Sequence, residues 1–212
     1  MLRVKWASLK VLVKRCGWSV ALRVGLGVTW DGFLGRPFGG LPRATERQEQ
    51  ESRAQLGPAV LLFLRLSKLL GKAQAFDVTA ATVEAGAHAF LRTTVGPIER
   101  ASLAHLDPDQ RHRYLTARLD KFPNALFRVD DVGVDGVHFT VTRCRFVELC
   151  HALGIPHLAP VFCAGDASYF GQIQPGVRLH RPQTLAQGGS SCPFHLTWID
   201  ESPSQSETSS TP

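Results

Sequence analysis

Apolar residues recur three and four positions apart along the opening segment MLRVKWASLKVLVKRCGWSVALRVGLGVTW, at Leu2, Trp6, Leu9, Val13, Cys16 and Val20. That spacing predicts one or two amphipathic helices, with Arg3, Lys10 and Lys14 gathered on another face. The turn-rich stretch GFLGRPFGGLPRA follows. Thr45, with Gln48 three positions on, has the form of a capping box and predicts the start of a polar helix. Gly57-Pro58 is expected to break or kink that helix before the apolar run AVLLFLRLSKLLG, which Gly71 closes. Asp77 is expected to cap VTAATVEAGAHAFLRTTVG, which ends at Gly96-Pro97. Asp107-Pro108 then starts a further helix, from Pro108 to about Lys121, with proline at the first helical position.

The period changes at Pro123. LFRVDDV and VHFTVTRC alternate as two antiparallel strands around a Gly133–Gly136 turn, and CRFVELCHALG reads as a short helix closed by Gly154. IPHLAPVF is expected to be extended. GVRLHRP and CPFHLTWID read as two more strands joined by TLAQGGSS. The fold class is therefore α+β: a helical N-terminal part, then a small antiparallel sheet with a crossing helix. The organisation expected is a basic amphipathic arm over 1–40, a helical part over 41–122, an α+β cysteine-containing part over 123–200 compact with it, and a disordered tail over 201–212. The composition of ESPSQSETSSTP supports the last of these.

Charge changes the picture only once it is located. The chain of 212 residues carries a net charge of +6. Six basic residues and no acid fall between Met1 and Arg23, so the remainder holds 18 of each sign. The body of the protein thus gives no basis for nucleic-acid binding. Residues 1–30 could lie on an anionic membrane surface or pack on their own domain with the lysines in water. Charges interrupt every long apolar run, which argues against an export signal or a membrane span. With five cysteines, an odd number, a cytoplasmic chain with free thiols is expected, membrane-peripheral if the arm binds lipid.

Four of those cysteines lie in the sheet region. Cys144 sits at a strand-to-helix junction, Cys163 at the end of the extended segment before Gly165-Asp166, and Cys192 at the start of the last strand. Three readings stand for Cys144, Cys163, Asp166 and Cys192. A nucleophilic thiol needs a lowered pKa from a helix N-terminus or a nearby cation, and His180 or His195 could serve it as base. Three thiolates and a carboxylate would suit zinc or iron, although no CxxC pair is present. Buried cysteine is otherwise a small hydrophobe. Gly188-Gly189 makes a tight strand connection or offers backbone N–H groups to an anion. Arg178 and Arg181 face opposite sides of their strand, and Arg181 is the better placed to grip a carboxylate.

The order TRCRFVELCHALGIPHLAPVFCAGDASYF followed by VRLHRPQTLAQGGSSCPFHL resembles the L-2-amino-thiazoline-4-carboxylic acid hydrolase family. The resemblance rests on Cys144, Phe146, Gly154, Pro156, Leu158, Phe162, Cys163 and Asp166, then on Arg181, Thr184, Leu185, Ala186, Gly188, Cys192 and Phe194. It leaves the basic arm unaccounted for. It implies hydrolysis of a cyclic amidine: water adds to the ring carbon between nitrogen and sulfur, and ring opening yields an N-carbamoyl cysteine. On that basis the expected roles are Cys163 as nucleophile or ligand and Asp166 as base or amidinium partner. Cys192 and Cys144 would line the site, Gly188 would lie beside the substrate, and Arg181 would clamp the carboxylate of a small-molecule substrate. No cofactor is required. The closing glycine turn and Cys-x-Phe strand are also similar to the ending of 4-vinyl-reductase-type domains, which implies the alternative of a non-catalytic module for a small ligand or metal.

Overall fold

In the computed structural model, residues 2–199 are described; the tail expected to be disordered lies outside them. Helix α1 (Leu2–Phe33) is two helical halves joined at Gly17, whose φ of 79° and ψ of 166° interrupt the helix. Only glycine takes that conformation without a Cβ penalty. Helix α2 (Arg47–Leu70) continues through Pro58, so the expected break does not occur. A proline inside a helix costs about 3 kcal/mol. Against this, Leu56, Val60, Leu61, Leu62, Phe63 and Leu66 are all buried by the continuous helix, at about 1.5–3 kcal/mol per side chain. Nor does Thr45 cap it: the residue before the first turn is Glu46, and no side chain makes the capping bond.

Gly71 alone links α2 to α3 (Lys72–Phe90). Helix α3 begins well before Asp77, because the chain has already reversed at Gly71 and Ala75 is in the core. A π-helical turn (Leu91–Val95) extends it to Gly96. After the single-turn α4 (Arg100–Ala104), α5 (Pro108–Leu119) starts as the sequence predicts: Asp107 accepts from the Gln110 N–H at 2.8 Å, and the Gln110 side chain accepts from the Asp107 N–H at 3.1 Å.

Strands β1 (Ala125–Val132) and β2 (Gly136–Cys144) form the expected hairpin. They are followed by α6 (Arg145–Ala152). IPHLAPVF is not extended. It supplies a 3-10 turn (Pro156–Leu158) and the start of α7 (Ala159–Ser168). Leu158, Ala159 and Val161 bury themselves against the helices, and a proline in the first turn of α7 has no hydrogen bond to lose. Strands β3 (Val177–His180) and β4 (Cys192–Trp198) complete an antiparallel sheet in the order β1-β2-β4-β3.

Two groups of buried side chains form the core. One, around Leu56, Leu66 and Leu158, binds α1, α2, α3, α6 and α7 together. The other, around Leu115, Val137 and Leu196, fills the space beneath the sheet. A cavity of about 890 Å³ is bordered by members of both, among them Leu12 and Leu62 from the first and Phe139 and Phe194 from the second.

Candidate functional site

Three elements aim polar groups into this cavity. Alternation along the sheet sends Val177 and Leu179 of β3, and Cys192, Phe194 and Leu196 of β4, to the inner face. Arg181 continues the inward parity just past β3, whereas Arg178 is exposed. Its side chain is only 9% accessible, and its guanidinium lies 4.8 Å from the centre of the Phe194 ring. On α7, Cys163 and Asp166 are three residues apart, so they share a helix face. Their position is set by a close helix crossing. A Cβ on Gly165 would come within 2.6 Å of Ala87 Cβ on α3, so only glycine lets α7 approach this far. His88 Nε2 and Ser168 Oγ, 2.7 Å apart, tie the same two helices.

The centre of the arrangement is an ion pair. Arg181 Nη1 lies 3.4 Å from Asp166 Oδ2, and Nη2 donates to the Cys163 carbonyl oxygen at 2.8 Å. Arg181 therefore does not stand free as the expected carboxylate clamp; its donors hold α7. Asp166 retains 25% of its side-chain surface and lines the cavity. Burial pushes its carboxyl up to about 6, because desolvation of the charged form outweighs the pull of Arg181 in the other direction.

Cys144, Cys163 and Cys192 all line the same cavity, so residues far apart in sequence do meet. Their titration runs against the expectation of a lowered thiol. Burial pushes Cys163 up to about 12, with Asp166 adding to the effect. Cys144 and Cys192 are also raised, chiefly by burial. Cys144 does precede α6, but Arg143 turns to Glu148 at 2.6 Å, and no cation lowers the thiol. Cys192 Sγ instead accepts the Leu185 N–H at 3.1 Å, and Cys144 Sγ accepts from Asn124 Nδ2 at 3.8 Å.

Among the described residues, no group of three or more His, Cys, Asp or Glu side chains is arranged to hold a metal ion. The zinc or iron set Cys144, Cys163, Cys192 and Asp166 is thus not assembled as a ligand cage, since Asp166 faces Arg181 and two of the sulfurs face N–H groups. Gly188 does not line the cavity. Its N–H is bonded to the Leu185 carbonyl at 3.2 Å and that of Gly189 to the Thr184 carbonyl at 3.0 Å, so neither is offered to an anion. His138, His195 and His180 form a row on the opposite face of the sheet, with ring centres 4.8 Å and 5.9 Å apart, and do not reach the site as bases. Cys150 is sealed in the helical core.

Sequence reasoning missed the wall of the site. Phe194, Phe139, Phe127, Phe122 and Phe90 touch in succession, with ring centres 4.7, 5.9, 5.8 and 5.4 Å apart. All five line the cavity, beginning beside Arg181. Only the inward alternation of the strand phenylalanines signalled part of it.

Helices packed on one antiparallel sheet, with the Asp166–Arg181 pair beside an aromatic-walled cavity, define an α+β protein. The chain belongs to the L-2-amino-thiazoline-4-carboxylic acid hydrolase family, whose model matches residues 48–196. That span begins in α2 and ends in β4, taking in every polar group of the site described above. No curated protein and no solved structure matches the chain. Among the described residues, no helix is long and apolar enough to cross a membrane.

Proposed function

We propose that the protein opens a small cyclic amidine or amide by hydrolysis, with water as the attacking group and Asp166 as the group that moves its protons. The observation that carries this reading is the placement of Asp166 on the cavity wall beside Arg181 at 3.4 Å, where burial pushes its carboxyl up to about 6. A carboxyl of that acidity exchanges a proton readily near neutral pH, as a general acid–base needs to. For a 2-amino-thiazoline-4-carboxylate-like ring, the oxygen of water bonds to the carbon between nitrogen and sulfur. One water proton passes through Asp166 to the ring nitrogen. The adduct then forms its carbonyl as the carbon–sulfur bond breaks, and the hydroxyl proton leaves with sulfur as a thiol. The product is an N-carbamoyl cysteine, and Asp166 is returned ionised.

Arg181 holds the carboxylate in place and keeps its pKa from rising further. Cys163 enters as a neutral thiol lining the site, since burial keeps it protonated; Cys144 and Cys192 complete that lining. The test is release of free thiol from 2-amino-thiazoline-4-carboxylate by purified protein, followed with a thiol reagent. Cys163→Ala is expected to retain turnover. A protein that releases no thiol leaves the second reading, a non-catalytic ligand-binding module, which the predominantly apolar cavity favours. Loss of all turnover in a folded Cys163→Ala variant would replace water with the thiol as nucleophile.

A further inference from the structure

We infer that the ligand of this cavity carries a long apolar tail or a fused ring system, with a polar amide- or amidine-type head seated at Asp166 and Arg181. The identity of the head rests on the reading above; the tail does not. A volume of about 890 Å³ is near the upper end for a small-molecule site, far more than one five-membered ring with a carboxylate fills. Among the described residues lining it, Asp166 is the one acid, and the basic side chains are Lys5, Arg36, Arg53 and Arg181. Asp166 pairs with Arg181, Arg36 with Asp31 and Arg53 with Glu49, and the phenylalanine row forms an apolar stretch of the wall. A small head group seated at Asp166 and Arg181 leaves the phenylalanine wall uncovered, and an apolar tail would cover it. An apolar tail gains about 0.8 kcal/mol for each methylene it buries, or about fourfold in affinity.

The experiment is fluorescence enhancement of N-phenyl-1-naphthylamine by the purified chain, with displacement by butanamide and by dodecanamide. The dye is expected to bind, and dodecanamide to displace it at a concentration at least ~100-fold lower than butanamide. Val83→Trp and Val147→Trp, two half-buried lining positions, are expected to weaken dye binding about tenfold or more by filling the space. The amide comparison on the unaltered protein stands even where a variant fails to fold. Absence of dye binding, or equal displacement by both amides, overturns the inference. Thiol release without dye binding would preserve the hydrolase reading and sink this one; dye binding without any hydrolysis would do the reverse.

A separate observation concerns the outer side of α1. Trp18, Leu22, Leu26, Trp30 and Phe33 are 61%, 58%, 72%, 62% and 83% exposed. At helical spacing they form one face, opposite the buried Ala21, Val24 and Asp31. The exposed Lys10, Lys14 and Arg15 precede this face, across Gly17, and the exposed Arg23 lies within its span, with no acid before Asp31. We propose that this face seats on an anionic lipid surface, its tryptophans at the headgroup level and the basic residues against the charge. Co-sedimentation is expected with phosphatidylcholine–phosphatidylglycerol vesicles and much less with phosphatidylcholine alone. A Trp18→Ser, Leu26→Ser, Trp30→Ser triple variant should bind the anionic vesicles at least ~10-fold more weakly. No binding by the unaltered protein overturns the proposal. So does a concentration-dependent dimer that the triple variant abolishes, which would make the face a contact between two copies.

Discussion

Two aspartate–arginine pairs, built from the same two residue types, behave in opposite ways. In the helical layer, Asp31 on α1 meets Arg65 on α2 at 2.7 Å and Arg36 at 3.3 Å. The hydrogen bond from Arg65, helped by the charges of both arginines, holds the Asp31 carboxyl below its usual range. At the cavity, Asp166 has Arg181 alone, at 3.4 Å, and burial pushes it up to about 6. Two arginines, one of them in a 2.7 Å hydrogen bond, hold Asp31 ionised, whereas one arginine at 3.4 Å does not offset the burial of Asp166. Their effects on stability also run in opposite directions. Asp31, with its depressed pKa, contributes stability above the unfolded value of about 3.9 and loses it as pH falls further. Asp166, with its raised pKa, contributes below about 3.9 and loses that contribution as pH rises through about 6.

The largest effect that would sharpen this contrast is on turnover. Asp166→Asn is expected to lower turnover in the thiol-release assay by about 10²- to 10⁴-fold with the protein still folded, while Asp31→Asn leaves it unchanged. Equal losses in the two variants would erase the distinction. Next in size is stability: Arg65→Leu is expected to lower Tm by several degrees at neutral pH, measured by calorimetry. That deficit should shrink on acidification below the ordinary carboxylate range, because the protonated Asp31 no longer needs its partner. A deficit that stays constant down to strongly acidic pH would mean that Arg65 acts through packing alone. The smallest effect is a displacement in pH. The acid limb of kcat/KM is expected near 6, where protonation of Asp166 removes the base. In Arg181→Gln it should move to higher pH, since Arg181 is the group that lowers this pKa. A limb that moves down, or not at all, would separate Arg181 from the acid–base group.

How much of this was legible in the sequence varied with the range of the interaction. The helix start at Asp107-Pro108, the hairpin around Gly133–Gly136 and the strand-to-helix junction at Cys144 rest on neighbours within a few residues, and they stand as expected. Helix α2 defied its proline because burial along its length, supplied by distant helices, outweighs one missing hydrogen bond. Helix α7 and the turn before it were misread because Pro156, Pro160 and Val161 suit an extended segment as well as a helix start. For the site, the meeting of Cys144, Cys163, Asp166, Arg181 and Cys192 was visible through the family resemblance. Their titration was not, because it depends on desolvation. The aromatic wall was not visible either: Phe90, Phe122, Phe127, Phe139 and Phe194 come from separate elements, and no local spacing joins them.

The family match starts at residue 48, and so leaves out α1. Yet Leu9, Leu12 and Val28 of that helix line one side of the cavity. The shared segment therefore holds Cys144, Cys163, Asp166, Arg181 and Cys192 but does not border the cavity by itself. Part of the cavity wall in this protein thus comes from a stretch outside the family match, while the phenylalanine row lies within it.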